Sequence, residues 1–585
     1  MIVVAIGPFV FDKYTTNVLI RSFLYAVTVL TVDILWGYTG ILTFGQSAFF
    51  GIGAYAAALT FTHLGFSPEM AALSFIGGIV VSMAVAWLVG WIAFWHRASP
   101  LYVAVLSLVL PIIVVQLLYS GGKFTGSSSG LVGFEAFDIS VNGWFWIAGG
   151  LLITLTAIGW LFVHSDFGRV LVAIRENEKR CQFLGIDTTR IKIILMMAMA
   201  AVASIAGYVY ACYTVVVAPE IAGFVFGTEL VIYTALGGRA TLIGPAIGAV
   251  LIDLTSAYLS GNLPFIWKLI VGTIFVAVIV VLPQGAAPVV KGLFMRLGAF
   301  FRRTPGQPAI GDIASLSTLA AVESPSSRPG GVTDFAALKT ENLSRHYGSF
   351  KALDTISFEA RDGELLSIVG PNGAGKTTLM QCISDGQGRS GGNVWINGQL
   401  IGRKSPQAVV KLGIGRSFQN TNMFESLNVS ECLRLARYCH ERPALFSRET
   451  DLALPGAAMR IIEATGLEAI FDSEARNLSH GQKRALELTM VLAIEPSVLL
   501  LDEPTAGLTK AERTLIGGIL ADLSRDDELC VLLIEHDLDF VRQVSSRVIV
   551  LHQGGLLMDG TVQEVVASDM VKAVYSGQHA IEEHQ

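Results

Sequence analysis

The nine residues "GPNGAGKTT", Gly370–Thr378, decide how the second half of the chain folds. They fit the pattern G-x-x-x-x-G-K-[ST], whose glycine-rich backbone wraps phosphate groups with N–H donors. The apolar run "LLSIVG" precedes the helical stretch "TTLMQCISD" here, so the loop joins a strand to a helix N-terminus, whose dipole favours anions. We therefore expect Lys376 to reach the β- and γ-phosphates of a nucleotide and Thr377 to ligate Mg²⁺.

A second stretch, "SVLLLDEP" from Ser497 to Pro504, is an apolar strand that ends in two carboxylates. Asp502 is placed to hold the shell of the Mg²⁺ ion, and Glu503 to polarise the water that attacks phosphate. The alternative is a strand that ends in a solvated acidic turn, which the preceding phosphate loop disfavours. Buried strands alternate with helical stretches in this half, and that alternation predicts an α/β domain of the P-loop NTPase class.

The composition of the 585 residues changes at about residue 303. Residues 1–303 contain 16 Lys and Arg and 12 Asp and Glu, whereas residues 304–585 contain 25 and 35, so the formal charges are +4 and −10. About 9% of the first part is charged and about 21% of the second, and only the second resembles a soluble globular domain. Neither part has the basic excess of a nucleic-acid-binding protein, so we expect no nucleic acid as a partner.

Long uncharged stretches dominate residues 1–303. The clear candidates for membrane helices are residues 70–95, 98–122, 139–163, 193–219 and 269–290. Weaker candidates, some of them short or interrupted by glycine, are residues 17–36, 40–62, 225–237 and 242–261. Each clear candidate can cross roughly 30 Å of hydrocarbon as a helix, and five together exclude buried soluble helices. We predict a polytopic α-helical domain with roughly eight or nine segments in membrane lipid.

Basic residues set the orientation of these segments. His164–Lys192 contains six Lys and Arg, and residues 291–303 contain four. Both stretches should face the cytoplasm by the positive-inside rule. Residues 304–333 contain four Pro, four Gly and five Ser, which is typical of a flexible linker. The predicted organisation is a transmembrane domain over 1–303, a linker over 304–333 and a cytoplasmic ATP-binding domain over 334–585.

The order of motifs in residues 338–577 resembles the ATPase of ABC transporters. "GPNGAGKTT" is followed by "RSFQN" with Gln419, "LSHGQ" at Leu478–Gln482, "LLLDEP" and "LLIEHD" with His536. The resemblance implies that Gln419 senses Mg²⁺ and water, that His536 contacts the γ-phosphate, and that an aromatic residue, Tyr347 or alternatively Phe350, stacks on adenine. The implied catalytic residues are Glu503, His536 and Gln419, and the implied Mg²⁺ ligands are Thr377, Gln419 and Asp502. The implied ATP-binding residues are Tyr347, Gly370, Asn372, Gly373, Gly375, Lys376, Thr377, Thr378, Ser479, Gly481 and Gln482.

The stretch "LSHGQ" implies a partner, because in ABC ATPases this motif caps the γ-phosphate bound to the opposite ATPase. The second permease and ATPase half is either another copy of this chain or a set of different subunits. His480 replaces the usual glycine and Thr509 stands where many members have Asp, but neither change removes Ser479 or Gly481. The stretches "NTNMFESLNVSECL" and "VVASDMVKAVYSG" resemble the ATPases of branched-chain amino acid importers. Those ATPases often carry a bulky residue at the motif's third position, which favours a tolerated variant over a pH-sensing or metal-binding histidine.

Residues 18–260 resemble the permease partner of the same importers. The matching stretches are "GYTGILTFGQSAFFGIGAYAAAL" from Gly37, "DFGRVLVAIRENEKRCQFLGID" from Asp166 and "ALGGRATLIGPAIGA" from Ala235. The resemblance implies that residues 166–187 form a coupling helix that docks beside Gln419, with a solvated basic loop as the alternative. The implied coupling residues are Arg175, Glu176 and Lys179.

Glycines in the first of these stretches permit either a broken helix, where transporters place substrates, or plain helix packing. Two acids, Asp33 and Glu229, lie within apolar stretches, and such residues usually face a cavity or a partner. Asp33 stands where the resemblance predicts Asn, and it either pairs with Arg21 or alters the ligand preference. The predicted substrate path contains Asp33, Gly45, Gln46 and Glu229.

The function implied by the resemblance is ATP-driven import of branched-chain amino acids or similar small polar solutes across the bacterial inner membrane. ATP and Mg²⁺ are the expected cofactors, and a periplasmic or lipid-anchored solute-binding protein is the expected source of solute. Urea, short amides, and aromatic or other organic acids are alternative solutes for the same type of importer. The basic loop 164–192 disfavours an ABC exporter, and the membrane half disfavours an ABC ATPase without a transport role.

Overall fold

The computed structural model describes residues 2–94, 100–262, 266, 269, 272–273, 318–322, 336–419, 423–526 and 529–576. The chain divides into two compact units. The first comprises Met1–Arg175, Thr188–Ala309 and Leu445–Ser447, and the second comprises Glu176–Asp187, Ile310–Ala444 and Arg448–Gln585. The main division, after Ala309, lies within the segment predicted as a linker. The two short exchanged segments were not predicted.

The first unit is helical. Among the described residues, seven helices are long and apolar enough to cross a membrane: Lys13–Tyr38, Gln46–Leu64, Pro68–Phe94, Tyr102–Ser120, Val141–Val163, Thr188–Thr214 and Ile243–Asn262. Shorter helices span Ile2–Val10 and Phe224–Gly237, and the two-residue strands Leu131–Val132 and Val216–Val217 pair antiparallel. The seven long helices and Phe224–Gly237 match predicted segments, whereas no segment was predicted over Ile2–Val10. The candidate 269–290 lies almost wholly outside the described residues.

The first long helix is interrupted at the glycine-rich stretch. The α-helix Lys13–Asp33 continues as the π-helix Ile34–Tyr38, and α-helical structure resumes only at Gln46. Gly40, between them, has a φ of +76°, which side chains other than glycine rarely adopt. Of the two alternatives that the glycines left open, the structure shows the broken helix at this position.

Glycines also bring two membrane helices into backbone contact. A Cβ atom on Gly53 would lie 2.0 Å from the carbonyl oxygen of Ser204, and one on Gly207 would lie 1.9 Å from that of Phe50. The helices Gln46–Leu64 and Thr188–Thr214 therefore touch at small residues on both sides, as is common where helices meet in lipid.

A six-stranded sheet forms the centre of the second unit. Its spatial order is Gly555–Gly560, Arg547–His552, Leu365–Val369, Cys530–Ile534, Val498–Asp502 and Ile414–Arg416. All neighbours are parallel except the first two strands. The three strands from Leu365, Cys530 and Val498 are buried throughout, which explains their continuous apolar runs. The predicted α/β class is confirmed.

A four-stranded antiparallel sheet, Phe350–Ala360, Leu338–Tyr347, Gly391–Ile396 and Gln399–Leu400, lies in the same unit. The α-helices that lie wholly within this unit, among the residues that the structure describes, are Lys376–Ser384, Pro406–Val410, Val429–Arg437, Gly456–Thr465, His480–Ala493, Lys510–Asp526, Leu538–Val544, Val562–Ala567 and Asp569–Ser576. The helix Asp166–Phe183 has non-helical backbone angles at Asn177.

Part of the predicted linker is a strand. Thr318–Val322 pairs in parallel with Asp451–Pro455 over five residues. The prediction of a structureless segment therefore does not hold for these residues, because backbone hydrogen bonds to a partner more than a hundred positions away order them. The rest of residues 304–333 lies outside the described part of the chain.

Candidate active site

The phosphate loop follows the buried strand Leu365–Val369 and ends at the helix Lys376–Ser384. Gly370, Gly373 and Gly375 all have positive φ angles, and a Cβ atom on Gly370 would lie 2.3 Å from the carbonyl oxygen of Leu551. Lys376 is buried, and its ammonium donates to the carbonyl oxygens of Gly370 at 2.7 Å and Pro371 at 3.0 Å. Burial lowers the pKa of this lysine. The glycines thus form the loop shape that the motif predicts.

The carboxyl ends of three neighbouring strands bring the phosphate loop, Glu503 and His536 to one edge of the sheet. Ile534 is in register with both Ile368 and Asp502, so the residues that follow these strands lie side by side. Ligands bind at this edge in open α/β sheets.

Glu503 joins the other two predicted catalytic residues. Its Oε1 atom lies 2.7 Å from Nε2 of His536, and its Oε2 atom accepts from Nε2 of Gln419 at 3.1 Å. Glu503 itself has a φ of +49°, which is uncommon outside glycine. The Glu503 carboxylate therefore contacts both Gln419, which is predicted to sense Mg²⁺ and water, and His536, which is predicted to contact the γ-phosphate.

Asp502 has the surroundings of a cation ligand. It is only 2% exposed, and burial raises the pKa of its carboxyl group. Its Oδ1 atom has no hydrogen-bond partner within the described residues. A buried oxygen left unpartnered is costly, so a hard cation that prefers oxygen ligands fits this position. Thr377, the other predicted ligand, lies exposed in the first turn of Lys376–Ser384.

Arg484 and Glu487, which sequence analysis did not single out, hold the backbone of this site. The Arg484 guanidinium donates to the carbonyl oxygens of Asp502, Glu503, Pro504 and Phe418. Glu487 pairs with Arg484 at 2.8 Å and accepts the N–H of Phe418 at 3.0 Å. The sequence could have indicated this pair, because Arg484 and Glu487 are the two charged residues of the mostly apolar stretch "RALELTMVLA". Residues at positions i and i+3 lie on the same face of a helix.

The "LSHGQ" motif forms the start of the helix His480–Ala493. Ser479 caps that helix by accepting the N–H of Gln482, and the Gln482 side chain accepts the N–H of Ser479. Ser479 and His480 are both exposed, so the motif presents a helix N-terminus to solvent, a position that favours anions. Its contact with an opposite ATPase stays a prediction.

The second departure from the family pattern, Thr509, has a local explanation. Its N–H and hydroxyl group donate to Glu512 at 2.8 Å, which caps the helix Lys510–Asp526. A Cβ atom on Gly481 would lie 2.3 Å from Oε1 of the same glutamate. The cap and the "LSHGQ" motif are therefore in contact, and a side chain at position 481 would require the Glu512 side chain to move.

The two aromatic candidates for adenine stacking face each other across a hairpin. Tyr347 is paired with Phe350 in the antiparallel ladder, and their exposed fractions are 50% and 64%. The guanidinium of Arg345 lies 4.7 Å from the centroid of the Tyr347 ring. Either ring is accessible to a base, and the choice of Tyr347 stays a prediction.

In the first unit, Asp33 is fully buried and binds backbone. Its two oxygens accept the N–H groups of Ala240 at 2.7 Å and Leu242 at 2.9 Å. Both of these residues have positive φ angles, so the carboxylate stabilises an unfavourable turn. Asparagine would supply a single acceptor oxygen, which gives a structural reason for aspartate at this position.

Of the two alternatives left open for Asp33, the pairing with Arg21 is wrong. The two residues are 12 positions apart in one helix, about 18 Å along its axis. Arg21 instead pairs with Asp253 at 2.9 Å, and Ser22 donates to the same carboxylate at 2.6 Å. Asp253 was not among the predicted residues, although it lies in an apolar segment as Asp33 does.

The remaining residues of the predicted substrate path lie at the interrupted helix and on a neighbouring helix. Gln46 is buried and accepts from Thr31 at 3.1 Å, while its Nε2 atom has no partner among the described residues. Gly45 precedes it at the end of the break. Glu229 is half-buried on Phe224–Gly237. A role in solute passage stays a prediction for all four residues.

The predicted coupling residues have different surroundings. Arg175 donates to the carbonyl oxygen of Gly37 at 2.5 Å, within the first unit. In the second unit, Glu176 accepts the N–H of Ser426 at 3.3 Å and also the Ser426 hydroxyl group. Lys179 is exposed, whereas Arg180, which was not predicted, is 5% exposed and pairs with Glu487.

Two family models match the chain. One, described as "Branched-chain amino acid transport system / permease component", matches residues 14–279, and one described as "ABC transporter" matches residues 353–506. Among solved structures, an ATP-binding cassette of an ABC transporter in its ADP conformation is 28% identical, with a TM-score of 0.37. That alignment covers 42% of this chain and 99% of the cassette.

Curated relatives match the second half. The high-affinity branched-chain amino acid transport ATP-binding protein LivG of Salmonella typhimurium is 32% identical over 250 residues, which are 41% of this chain and 98% of LivG. The corresponding protein BraF of Pseudomonas aeruginosa is 30% identical over 251 residues, with the same coverage. The ferric enterobactin transport ATP-binding protein FepC of Escherichia coli is 30% identical over 240 residues, covering 41% of this chain and 87% of FepC.

Proposed function

Because the chain belongs to the ABC transporters, as a branched-chain amino acid-type permease joined to an ATP-binding component, we propose that it imports branched-chain amino acids or similar small polar solutes. The observation that carries this proposal is the permease match over residues 14–279 on the same chain as an ATPase related to LivG. The protein is a multi-pass membrane protein with a cytoplasmic ATPase domain, and the ATPase binds and hydrolyses ATP.

The chemistry that we assign to the ATPase follows from the sheet edge. Lys376 and the N–H groups of Gly370–Gly375 bind the phosphates of ATP, and Tyr347 stacks on adenine. Asp502, Thr377 and Gln419 would hold Mg²⁺, which neutralises phosphate charge when it is bound. Glu503 accepts a proton from the attacking water, and Gln419 orients that water. His536, 2.7 Å from Glu503, contacts the γ-phosphate.

The proposed assembly contains a second ATPase and permease half, either a second copy or different subunits. The exposed Ser479 and the half-buried Gly481 at the start of their helix support this assembly, since Ser479 is accessible to an opposite ATP. A periplasmic or lipid-anchored solute-binding protein delivers the solute, and Asp33, Gly45, Gln46 and Glu229 contribute to its path.

Uptake into proteoliposomes tests the proposal. The full-length chain, any partner subunits and the cognate solute-binding protein are reconstituted, and radiolabelled leucine and isoleucine are supplied with ATP. We expect ATP-dependent accumulation. If the binding protein captures only urea, amides or aromatic acids in a binding screen, the amino acid assignment is refuted.

The Glu503→Gln variant tests the mechanism. It should bind ATP with unchanged affinity and lose about 10²- to 10⁴-fold of its turnover, because it lacks a general base. The matched control is Glu463→Gln, at an exposed position on the helix Gly456–Thr465, which should hydrolyse ATP at the normal rate. Normal phosphate release by Glu503→Gln would remove that residue from its assigned role.

A further inference from the structure

Three buried charged side chains form a continuous hydrogen-bonded network in the second unit. Arg180, Glu487 and Arg484 have exposed fractions of 5%, 2% and 5%. One oxygen of Glu487 accepts from Arg180, and the other accepts from Arg484 at 2.8 Å. Replacing a buried ion network by apolar side chains of similar volume is often neutral or stabilising, so stability alone does not account for such a network. The structure therefore contains a costly arrangement that needs a reason.

Arg484, at one end of this network, binds the backbone that carries the proposed catalytic base. Arg484 donates to the carbonyl oxygens of Asp502 at 3.1 Å and Pro504 at 3.0 Å, and also to that of Glu503. The planar guanidinium presents its donors in a fixed fork. Any rotation of Arg484 therefore changes the hydrogen bonds of all three carbonyl groups around Glu503.

Glu487, in the middle of the network, binds Phe418, the residue before Gln419. The N–H of Phe418 donates to Glu487 at 3.0 Å, and its carbonyl oxygen accepts from Arg484 at 2.7 Å. Its ring centroid lies 5.6 Å from the guanidinium of Arg180 and 5.1 Å from the ring of Phe183. Both backbone polar groups and the ring of Phe418 are thus held by the same network.

We propose that Arg180 is a positioning residue for ATP hydrolysis, acting through Glu487 and Arg484 on the placement of Gln419 relative to Glu503. The inference rests on the proposed catalytic roles of those two residues. When Arg180 shifts, Glu487 loses one cationic partner and its hold on the N–H of Phe418 weakens. Within the described residues, no hydrogen bond joins the three charged side chains to the phosphate loop, so ATP binding is left intact.

Steady-state hydrolysis by the full-length chain in lipid nanodiscs tests the proposal. Arg180→Met removes the charge and keeps much of the side-chain length. We expect kcat to fall about tenfold or more while KM for ATP stays within about twofold, the pattern of a group that acts after binding. Arg180→Lys should recover part of kcat. The matched control is Arg442→Met, at an exposed arginine of the same unit, which should leave both constants unchanged.

Hydrogen exchange gives a second readout that does not depend on activity. In Arg180→Met, the amide of Phe418 should exchange about tenfold faster or more, while the helix Lys376–Ser384 exchanges as before. Unchanged exchange at Phe418, or faster exchange in both places, overturns the proposal. If Glu503→Gln retains turnover, the base assignment fails instead, and exchange at Phe418 still decides whether Arg180 positions this segment.

Discussion

Replacing Gly53 by alanine measures how closely the membrane helices pack. The new Cβ atom would lie 2.0 Å from the carbonyl oxygen of Ser204 and 2.7 Å from its carbonyl carbon. A relaxed C···O contact needs about 3.3 Å, so the helices Gln46–Leu64 and Thr188–Thr214 must separate locally by roughly 1.3 Å. Overpacking of this kind costs about 1–3 kcal/mol, and it is opposed by the helix preference of alanine over glycine, about 1 kcal/mol.

The matched control for this substitution is Gly77→Ala. No atom lies within 4 Å of the Cβ position of Gly77, so this variant reports the helix preference alone and should be at least as stable as the unmodified protein. Gly53→Ala should lose a net of about 0–2 kcal/mol relative to the unmodified protein and about 1–3 kcal/mol relative to Gly77→Ala, which places its Tm about 2–12 °C below that of Gly77→Ala. Thermal unfolding of the full-length chain in detergent, followed by size-exclusion chromatography, measures both. If Gly53→Ala unfolds at or above the Tm of Gly77→Ala, the backbone contact is refuted.

Two further substitutions test the charged groups. Lys376→Ala should weaken ATP binding about tenfold or more by removing the ammonium that we assign to the phosphates, as measured by nucleotide-induced thermal shift, and unchanged affinity would count against the phosphate-loop assignment. Arg21→Met should cost about 2–3 kcal/mol, somewhat less than for a fully buried pair because Arg21 is half-exposed, since it leaves Asp253 unpaired. Adding Asp253→Asn should restore most of that stability in the same unfolding assay, and additive losses would mean that the two residues are not coupled.

The parts of the site that follow from local sequence were predictable. The phosphate loop is formed by residues within one strand–loop–helix unit, so its pattern alone predicts its shape. Glu503 and His536 follow buried parallel strands, and the carboxyl ends of such strands meet at one edge. The break before Gln46 was predictable because glycines accumulate where the helix ends.

Other contacts depend on partners that the sequence does not place. Arg180 and Glu487 are 307 positions apart, and Asp33 lies 207 positions from Ala240. An apolar context shows that such a charge needs a partner, but it does not distinguish a side chain from backbone N–H groups. For this reason, the suggested pairing of Asp33 with Arg21 differs from the backbone contacts that the structure shows. The strand Thr318–Val322 was missed because its only signal is a remote pairing.

The hydrogen bonds of Lys376 within its own loop bear on how ATP affinity arises. Its ammonium is already removed from bulk water and donates to two carbonyl oxygens. A phosphate that binds there would replace these carbonyl acceptors and would not have to displace the water shell of a hydrated cation. Desolvation of that charge disfavours folding, and the lowered pKa of Lys376 reflects the same desolvation. If Lys376 binds phosphate as we propose, part of the desolvation that nucleotide binding requires has already occurred on folding of the ATPase domain.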